Sequence, residues 1–487
     1  MSTVRRIGKN IFFLSAGNIV QRILSLGMVI YIAQKLGVGD FGVYSFAFSF
    51  VLIFTVFGDL GIGVLISREI AKDKSKAGEL LGDAFVIKIF LSLVVLIVVF
   101  VLGTLLNFFY GTKYFSSMFF FILIAGCSLL FDSMAGLFRM IFFAFQEMQY
   151  DFFVNVFYKI ILVFLTIGVL FFGYGLKEVF FVAVFSSFFN FILSFFVVTR
   201  KFTKLKINFN FKKYKKLVML SLPFSLMYLL TAIYGNIALI TLLFFKGNVS
   251  VGYYAAAMRL VSVIGFVPAT FMTVVFPVMA SFYAVSNKSL NTVVEKSSKY
   301  LLIIVLPIAF STTLLSERII GLVYPTTGLN NFFPASTALT ILIWLSVFNF
   351  LNMVFLNVLQ STVFEKRASF LFGISLIINI FLSLILIPIY DFIGAAFASV
   401  LSELALFILG GYFVSKHFLN FSSLLKDVIK CVIASFVIFI FIYFFFFLNI
   451  FLLVIISSIL YFVVLILIKG FDEKDIIFFK KIIERSN

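Results

Sequence analysis

The sequence predicts an all-α integral membrane protein with about fourteen transmembrane helices and both termini in the cytoplasm. Three observations predict it: the composition, the length of the apolar runs and the distribution of Lys and Arg between the loops. Of the 487 residues, 63% are hydrophobic and 12% are charged, whereas soluble domains hold about 45–50% apolar and about 25% charged residues. Lipid is therefore the solvent of most of this chain, and no large soluble domain fits in the remainder.

The apolar runs form fourteen segments, each long enough to cross the hydrocarbon core of a bilayer. The first six are predicted at 11–33, 41–66, 84–106, 116–145, 152–172 and 178–199. After a basic break, eight more follow at 217–245, 251–283, 300–323, 332–363, 368–389, 392–415, 427–448 and 450–468. Several runs are longer than a straight crossing requires, which indicates tilted helices or helix ends in the interface.

The segments between the runs carry Lys and Arg unevenly. With the N-terminus placed in the cytoplasm, the cytoplasmic segments hold 27 of the 38 Lys and Arg, and the external loops hold four. An excess of Lys and Arg in short loops marks the cytoplasmic side. Both termini are therefore predicted to be cytoplasmic. The membrane surface, rather than nucleic acid, accounts for the formal charge of +18.

Two glycine loops indicate an internal repeat. A constant shift along the sequence aligns GVGDFGVYSFA with GNVSVGYYAAA and matches Gly37 with Gly247, Gly42 with Gly252, and Tyr44 with Tyr254. Each copy holds six spans, an even number, so the copies enter the membrane in the same direction as parallel repeats. We predict an N-lobe at 1–199, a basic cytoplasmic linker at 200–216, a C-lobe at 217–415, and two appended helices with a cytoplasmic tail at 416–487.

All seven prolines lie in the second half of the chain, and Pro223 is the candidate hinge. It falls early in the seventh span, where a proline removes a backbone hydrogen bond and permits a kink. Two interpretations stay open: a static kink that packing accommodates, or a bend that changes as the protein works.

Ionisable residues within the spans are candidates for function, because each costs about 2.5–3.5 kcal/mol on insertion scales. Four of them, Lys88, Arg139, Arg318 and Lys430, lie near predicted span ends, where their side chains are expected to snorkel to the interface. Six others lie deeper: Arg22, Asp59, Asp132, Lys159, Arg259 and Glu403.

The deep charges admit two interpretations. In the first, Arg22 pairs with Asp59 or Asp132 and locks the N-lobe. In the second, Arg22, Arg259 and Lys159 line a cationic cavity for a phosphate or pyrophosphate group, which arginine binds in a bidentate manner while it stays charged. Glu403 either pairs within its own lobe or couples H⁺ or Na⁺ movement, and the sequence does not choose between these roles.

No catalytic residue, metal site or cofactor is predicted. Two cysteines far apart in sequence and a single histidine give neither a disulfide framework nor a metal-ligand spacing. The sequence also contains no GxxxxGK[ST] motif for nucleotide phosphates.

Five segments resemble a known family. GDFGVYSFAFSF and FGDLGIGVLISREIA resemble the second helix of polysaccharide flippases, in the multidrug/oligosaccharidyl-lipid/polysaccharide exporter superfamily. LPFSLMYLL, GYYAAAMRL and DFIGAAFASVLSE resemble its seventh, eighth and twelfth helices. Asn236 stands where many relatives have an acidic residue on helix seven, which argues against cation coupling at that position. The resemblance covers essentially the whole chain.

The resemblance implies a flippase, and the Phe-, Ile- and Lys-rich composition indicates a prokaryotic source and therefore the plasma membrane. The flippase would move a polyprenyl-(pyro)phosphate-linked oligosaccharide from the inner to the outer leaflet by alternating access. Related lipid II flippases use arginines on helices one and eight, which Arg22 and Arg259 match by helix. The expected partners are this substrate and membrane lipids, with a coupling H⁺ or Na⁺ left open and no nucleic acid. We expect a monomer.

Two alternatives remain. The first is a cation-coupled multidrug exporter of the same fold, whose cavity should be rich in carboxylates, whereas the deep charges here lean positive. The second is a membrane glycosyltransferase or polymerase. Such enzymes generally need acidic residues on long external loops, but the longest external loops, near 107–115 and 324–331, contain no Asp or Glu.

Overall fold

The computed structural model describes residues 3–110, 113–283, 286–418 and 421–471. Within these ranges the chain is helical and contains no strand, which confirms the predicted class. The first unit of the chain contains α1 Thr3–Asp59, α2 Ile62–Lys72, α3 Ala77–Tyr110, α4 Lys113–Phe145, α5 Met148–Phe171, α6 Leu176–Lys201 and α7 Phe211–Lys246. The remaining helices are α8 Asn248–Ile264, α9 Phe266–Tyr283, α10 Asn287–Val323, α11 Ala335–Gln360, α12 Glu365–His417, α13 Phe421–Phe444 and α14 Ile450–Leu467.

Within the described residues, twelve helical stretches are long and apolar enough to cross a membrane. Two of these, Gly8–Asp59 with 52 residues and Glu365–His417 with 53 residues, are too long for one crossing, because a helix rises about 1.5 Å per residue and the hydrocarbon core is about 30 Å thick. Each contains one residue with non-helical backbone, Gly37 in α1 and Asp391 in α12. Each stretch is therefore two crossings joined by a tight turn, which gives the fourteen crossings of a multi-pass membrane protein.

The backbone at the glycine loops repeats as the sequence does. Gly37 has φ 79° and ψ 178°, and Gly247, its partner in the sequence repeat, has φ 86° and ψ −175°. A positive φ of this size favours glycine, because a Cβ would clash with the backbone. The same unusual conformation at both positions supports the predicted repeat.

The two loops also pack against each other through equivalent atoms. A Cβ built on Gly42 would lie 1.9 Å from the backbone oxygen of Asn248, and one built on Gly252 would lie 2.2 Å from the backbone oxygen of Val38. Val38 and Asn248 follow directly after Gly37 and Gly247 and are themselves equivalent in the repeat. The contact between α1 and the start of α8 is therefore reciprocal, and no side chain larger than hydrogen fits at either glycine.

The second predicted span ends earlier than the sequence suggested. It was expected to continue to residue 66, but α1 ends at Asp59, where Leu60 (φ 45°) and Gly61 (φ 72°) adopt left-handed backbone. The following helix, α2, has 11 residues and is only about 16 Å long, too short to cross a bilayer. It buries one apolar face, formed by Ile62, Leu65, Ile66 and Ile70. The prediction was wrong here because an apolar run alone does not reveal a backbone turn.

The chain forms two compact units, Met1–Gly252 and Tyr253–Asn487. In the first, the core is built from α2, α3, α4 and α6 around Phe138 and Phe142. In the second, the core runs from α9 to α14, with α13 and α14 packed on α10. The lobe boundaries predicted from the sequence, at 1–199, 200–216, 217–415 and 416–487, stay predictions.

Candidate functional site

The first unit contains a cavity of about 400 Å³ lined by residues of α1, α2, α3, α4 and α7. Both acidic residues that the sequence singled out in this unit, Asp59 and Asp132, line it. Lys88 and Tyr228 also lie on its wall. The tertiary fold thus brings three charged groups from three helices to one cavity.

Asp59 lies at the last residue of α1, where the carbonyl end of the helix dipole disfavours a negative charge. Lys88 of α3 compensates that charge. Its Nζ lies 2.6 Å from Asp59 Oδ1 and donates a hydrogen bond to the backbone oxygen of Ser133 at 2.7 Å. Lys88 is only 3% exposed, so the expectation that it snorkels to the interface was wrong.

Asp132 of α4 is bound by neutral donors. The Tyr158 hydroxyl donates to Oδ2 at 3.2 Å, Ser187 Oγ donates to Oδ2 at 3.0 Å, and Asn190 Nδ2 donates to Oδ1 at 3.1 Å. The carboxyl group therefore keeps its charge or takes up a proton without losing a paired cation. Such an arrangement suits a group whose charge state changes.

Arg139 lies two turns beyond Asp132 on α4. Its guanidinium donates to Asn155 Oδ1 and lies 3.8 Å from Asp151 Oδ1, both on α5. The Asn155 amide in turn donates to Asp151 at 2.9 Å. This network ties α4 to α5 beside the cavity, in place of the snorkelling that the sequence suggested.

The three predicted cavity cations occupy different helices. Arg22 is exposed on α1, and Lys159 is partly buried on α5, a helix that packs against α1 in the first unit. Arg259 is exposed on α8 in the second unit. Their joint role in a cationic path stays a prediction.

In the second unit, Glu403 of α12 is 3% exposed and lies against α11. Asn352 Nδ2 donates to Glu403 Oε2 at 2.6 Å and to the Glu403 backbone oxygen at 3.0 Å. Asn349 Nδ2 lies 3.5 Å from Oε1. These contacts join α11 and α12, and the choice between pairing and ion coupling for Glu403 stays a prediction.

The second unit also contains a cavity, of about 310 Å³, between α10, α13 and α14. It is lined mainly by aliphatic and aromatic side chains with a few hydroxyl groups, and no charged residue is among those that line it. Glu403 does not line it either.

Two residues of α7 complete the candidates. Pro223 lies within α7, but its side chain is outside the part of the chain that the structure describes, and its role as a hinge stays a prediction. The Asn236 amide donates to the backbone oxygen of Ala232 in its own helix at 2.8 Å.

Sequence reasoning missed the polar face of α6. Ser186, Ser187, Asn190 and Ser194 are all buried, and two of them bind Asp132. Their spacing of three and four residues places them on one side of a helix, so a polar stripe in an apolar run was the available signal.

Comparison with known protein families assigns the chain to one of them. The family model "Polysaccharide biosynthesis protein" matches residues 7–283, more than half of the chain. The chain belongs to the polysaccharide biosynthesis protein family. An uncharacterized membrane protein of Methanocaldococcus jannaschii is 27% identical over 226 residues, which cover 45% of this chain and 44% of that protein. The match thus spans less than half the length of that relative.

Solved structures share the fold of this polysaccharide biosynthesis protein. The lipid II flippase MurJ, in an inward closed conformation, superimposes with a TM-score of 0.78 at 18% identity, covering 97% of this chain and 100% of that one. A multidrug resistance MATE family transporter in an inward-facing conformation superimposes with a TM-score of 0.70 at 15% identity. The match covers 81% of this chain and 95% of that one. A MOP superfamily transporter from Pyrococcus furiosus superimposes with a TM-score of 0.58 at 16% identity, covering 85% of this chain and 95% of that one. That transporter is described as having a binding pocket of reverse polarity. All three are flippases or transporters, not enzymes.

Proposed function

We propose that this protein translocates a polyprenyl-(pyro)phosphate-linked oligosaccharide from the inner to the outer leaflet of a prokaryotic plasma membrane by alternating access. The observation that carries the proposal is the likeness in fold to a lipid II flippase along 97% of the chain. The family to which the chain belongs, named for polysaccharide biosynthesis, supports the same class of substrate.

The extent of the structural likeness favours a lipid flippase over a multidrug exporter. The match to the MATE transporter covers 81% of this chain and that to the MOP superfamily transporter covers 85%. A fold with fourteen crossings therefore fits the flippase along its whole length.

In the proposed mechanism, Arg22, Arg259 and Lys159 bind the phosphate or pyrophosphate while the polyprenyl tail stays in the bilayer. A phosphate group entering low dielectric needs charge-assisted hydrogen bonds, and guanidinium groups provide them in a bidentate geometry. Arg22 and Arg259 are both exposed residues, as such a role requires.

Asp132 is the proposed coupling group for H⁺ or Na⁺. It lines the cavity of the first unit and is bound by hydroxyl and amide donors, so a cation exchanges there without breaking an ion pair. Glu403, which is buried between α11 and α12, is proposed to have a structural role.

The first experiment is deletion of the gene in its host. The proposal requires a lipid-linked oligosaccharide to accumulate on the cytoplasmic leaflet and the wild-type gene to restore export. Arg22→Ala and Arg259→Ala variants that insert normally should fail to restore it. Arg68→Ala is the matched control, because Arg68 is an exposed arginine on α2, which is too short to span. Full export by both cavity variants would contradict the cationic path.

The cation-coupled multidrug exporter is the second candidate function. One observation favours it: Asp59 and Asp132, two carboxylates, line the cavity of the first unit. Efflux of an organic cation from cells that express the protein, with no accumulation of lipid-linked oligosaccharide in the deletion strain, would establish this alternative.

A further inference from the structure

The basic segment 200–216 joins α6 to α7 and is the largest charge run of the sequence. Between Lys201 and Phe211 it is not helical, yet it lies closely against α3. The Lys206 amide donates to the Gly78 backbone oxygen at 3.0 Å. A Cβ on Gly78 would lie 2.5 Å from the Lys204 oxygen, and one on Gly82 would lie 2.2 Å from the Lys206 oxygen. The backbone of the segment is therefore held in place.

Lys213 fixes the far end of the segment to the same helix. Its Nζ lies 2.5 Å from Glu79 Oε1 and 2.5 Å from Asp83 Oδ2. Burial alone lowers the pKa of Lys213, but the hydrogen bonds to Asp83 and Glu79 outweigh it, so the pKa is raised above its ordinary value. This lysine thus forms ion pairs with both acidic groups in the first two turns of α3.

Five other lysines of the segment lie at its surface, and Lys206 among them also attracts the Glu79 carboxylate. Lys204, Lys206, Lys212, Lys215 and Lys216 are exposed, and none of them forms an ion pair with a residue that the structure describes. Five positive charges therefore face outward from a backbone that is already ordered.

An uncovered apolar face accompanies these charges. Leu205 packs on the core of the first unit, but Ile207, two residues on, is 47% exposed. Phe209 is 85% exposed and Phe211 is 86% exposed. In extended backbone, alternate residues share a face, so Ile207 and Phe209 continue the side that Leu205 begins, beyond the edge of the protein core.

The position of this face relative to the bilayer indicates its partner. The apolar run of α7 begins at Leu217, six residues after Phe211, which is about 9 Å along a helix. The head-group layer extends roughly 5–8 Å beyond the hydrocarbon core on each side. Phe211 therefore lies at the outer edge of the lipid head groups, and the side chains of Phe211 and Phe209 must turn toward the bilayer to enter this layer. Clusters of four to eight Lys or Arg next to a transmembrane helix attract anionic lipid, and aromatic rings among them insert below the head groups.

We infer that the basic segment is a binding surface for anionic phospholipids of the bilayer. The five exposed lysines contact the phosphate groups, and Ile207, Phe209 and Phe211 enter the interface. A soluble acidic protein would satisfy the charges but would leave the three apolar side chains in water. The surface lies on the linker between the predicted lobes, and binding there is independent of the transported substrate.

A tryptophan placed at Phe209 tests the inference. The chain has one tryptophan, Trp344, so a Trp344→Phe, Phe209→Trp protein carries a single reporter. In nanodiscs of phosphatidylcholine with increasing brominated phosphatidylglycerol, we expect the emission to shift to the blue and to be strongly quenched. Each lysine near an anionic surface contributes about fivefold to binding. Lys204→Gln with Lys206→Gln should therefore raise the phosphatidylglycerol fraction for half-quenching about tenfold or more, or prevent quenching altogether.

Two controls keep the outcome decisive. Phe164→Trp, an exposed position within α5, should be quenched by brominated lipid of either head group. Lys366→Gln with Lys416→Gln, two exposed lysines of the second unit, should leave the Phe209→Trp titration unchanged. Emission at position 209 that only an aqueous quencher reduces would overturn the inference. Equal quenching by brominated phosphatidylcholine and phosphatidylglycerol, insensitive to the lysine changes, would overturn it as well.

Discussion

Each compact unit contains a buried lysine that is paired with an aspartate, but the surroundings of the two pairs differ. Lys88, 3% exposed, lies 2.6 Å from Asp59 and lines a charged cavity. Lys299, 1% exposed, lies 3.7 Å from Asp427 and joins α10 to α13, and neither residue lines the apolar cavity of this unit. Burial of a charge therefore does not mark a functional group by itself. The open cavity beside the charge is what distinguishes the first pair.

The largest expected effect comes from breaking these pairs. Lys88→Met and Lys299→Met each leave an aspartate without its cation, which costs about 3–5 kcal/mol when both groups are fully buried. Because Asp59 is 36% exposed and Asp427 is 20% exposed, we expect about 2 kcal/mol in each case, measured by thermal unfolding in detergent.

The double variants separate the two roles. Lys88→Met with Asp59→Leu, and Lys299→Met with Asp427→Leu, should both regain most of the lost stability, since a buried pair and an apolar pair are often of similar stability. Export in the deletion strain should recover only in the second case. Recovery in both would show that the first pair is as structural as the second.

Glycine substitutions compare a contact between separate helices with one inside a single hairpin. Gly42→Ala places a Cβ 1.9 Å from Asn248 O, and Gly394→Ala places one 2.2 Å from Leu386 O within α12. Both should cost about 1–3 kcal/mol through overpacking. Only Gly42→Ala should also change the accessibility of engineered cysteines to a water-soluble reagent, because it forces α1 and the start of α8 apart.

Gly27→Ala is the matched control, since nothing lies within 4 Å of a Cβ there. Unchanged accessibility in Gly42→Ala, together with lost stability, would show that the reciprocal loop contact does not move during transport.

The two buried acids provide a third test. Asp132→Asn should leave the unfolding temperature nearly unchanged, because Asn190 can still donate to the remaining side-chain oxygen while the Tyr158 and Ser187 hydroxyls turn to accept from the new amide. It should abolish the dependence of export on H⁺ or Na⁺. Glu403→Gln should preserve both properties, whereas Glu403→Ala should cost about 1–3 kcal/mol, because the Asn352 amide then keeps only the backbone oxygen of residue 403 and one of its two hydrogens loses its acceptor. Loss of ion dependence in Glu403→Gln, and not in Asp132→Asn, would place coupling in the second unit.

The smallest effect concerns Lys213, whose side chain is 31% exposed. Its raised pKa means that its contribution to stability is complete below the ordinary lysine pKa of about 10.4 and is lost as the pH rises through the raised value. Lys213→Met should therefore lower stability by about 1 kcal/mol at pH 7, and the difference from wild type should shrink above about pH 10.4. A difference that stays constant with pH would mean that the lysine stabilises through packing alone.

The sequence by itself determined the class of the protein, because hydrocarbon imposes a simple rule: a span needs about 20 apolar residues whatever it packs against. Fourteen crossings, the turns at Gly37 and Asp391, and the repeated glycine loop all follow from local pattern. The match between the two glycine loops extends to the backbone, because Gly37 and Gly247 have similar φ and ψ angles.

Only the tertiary structure decided which charges meet. Lys88 was predicted to snorkel because it lies near a span end, but the fold places the end of α1 beside it, and an ion pair with Asp59 replaces water. Likewise, the sequence of α6 shows a polar stripe but not its partner. Only the fold reveals that Ser187 and Asn190 donate hydrogen bonds to Asp132 of α4. Pairing in three dimensions depends on helices that are distant in sequence, whereas insertion into lipid depends on each helix alone.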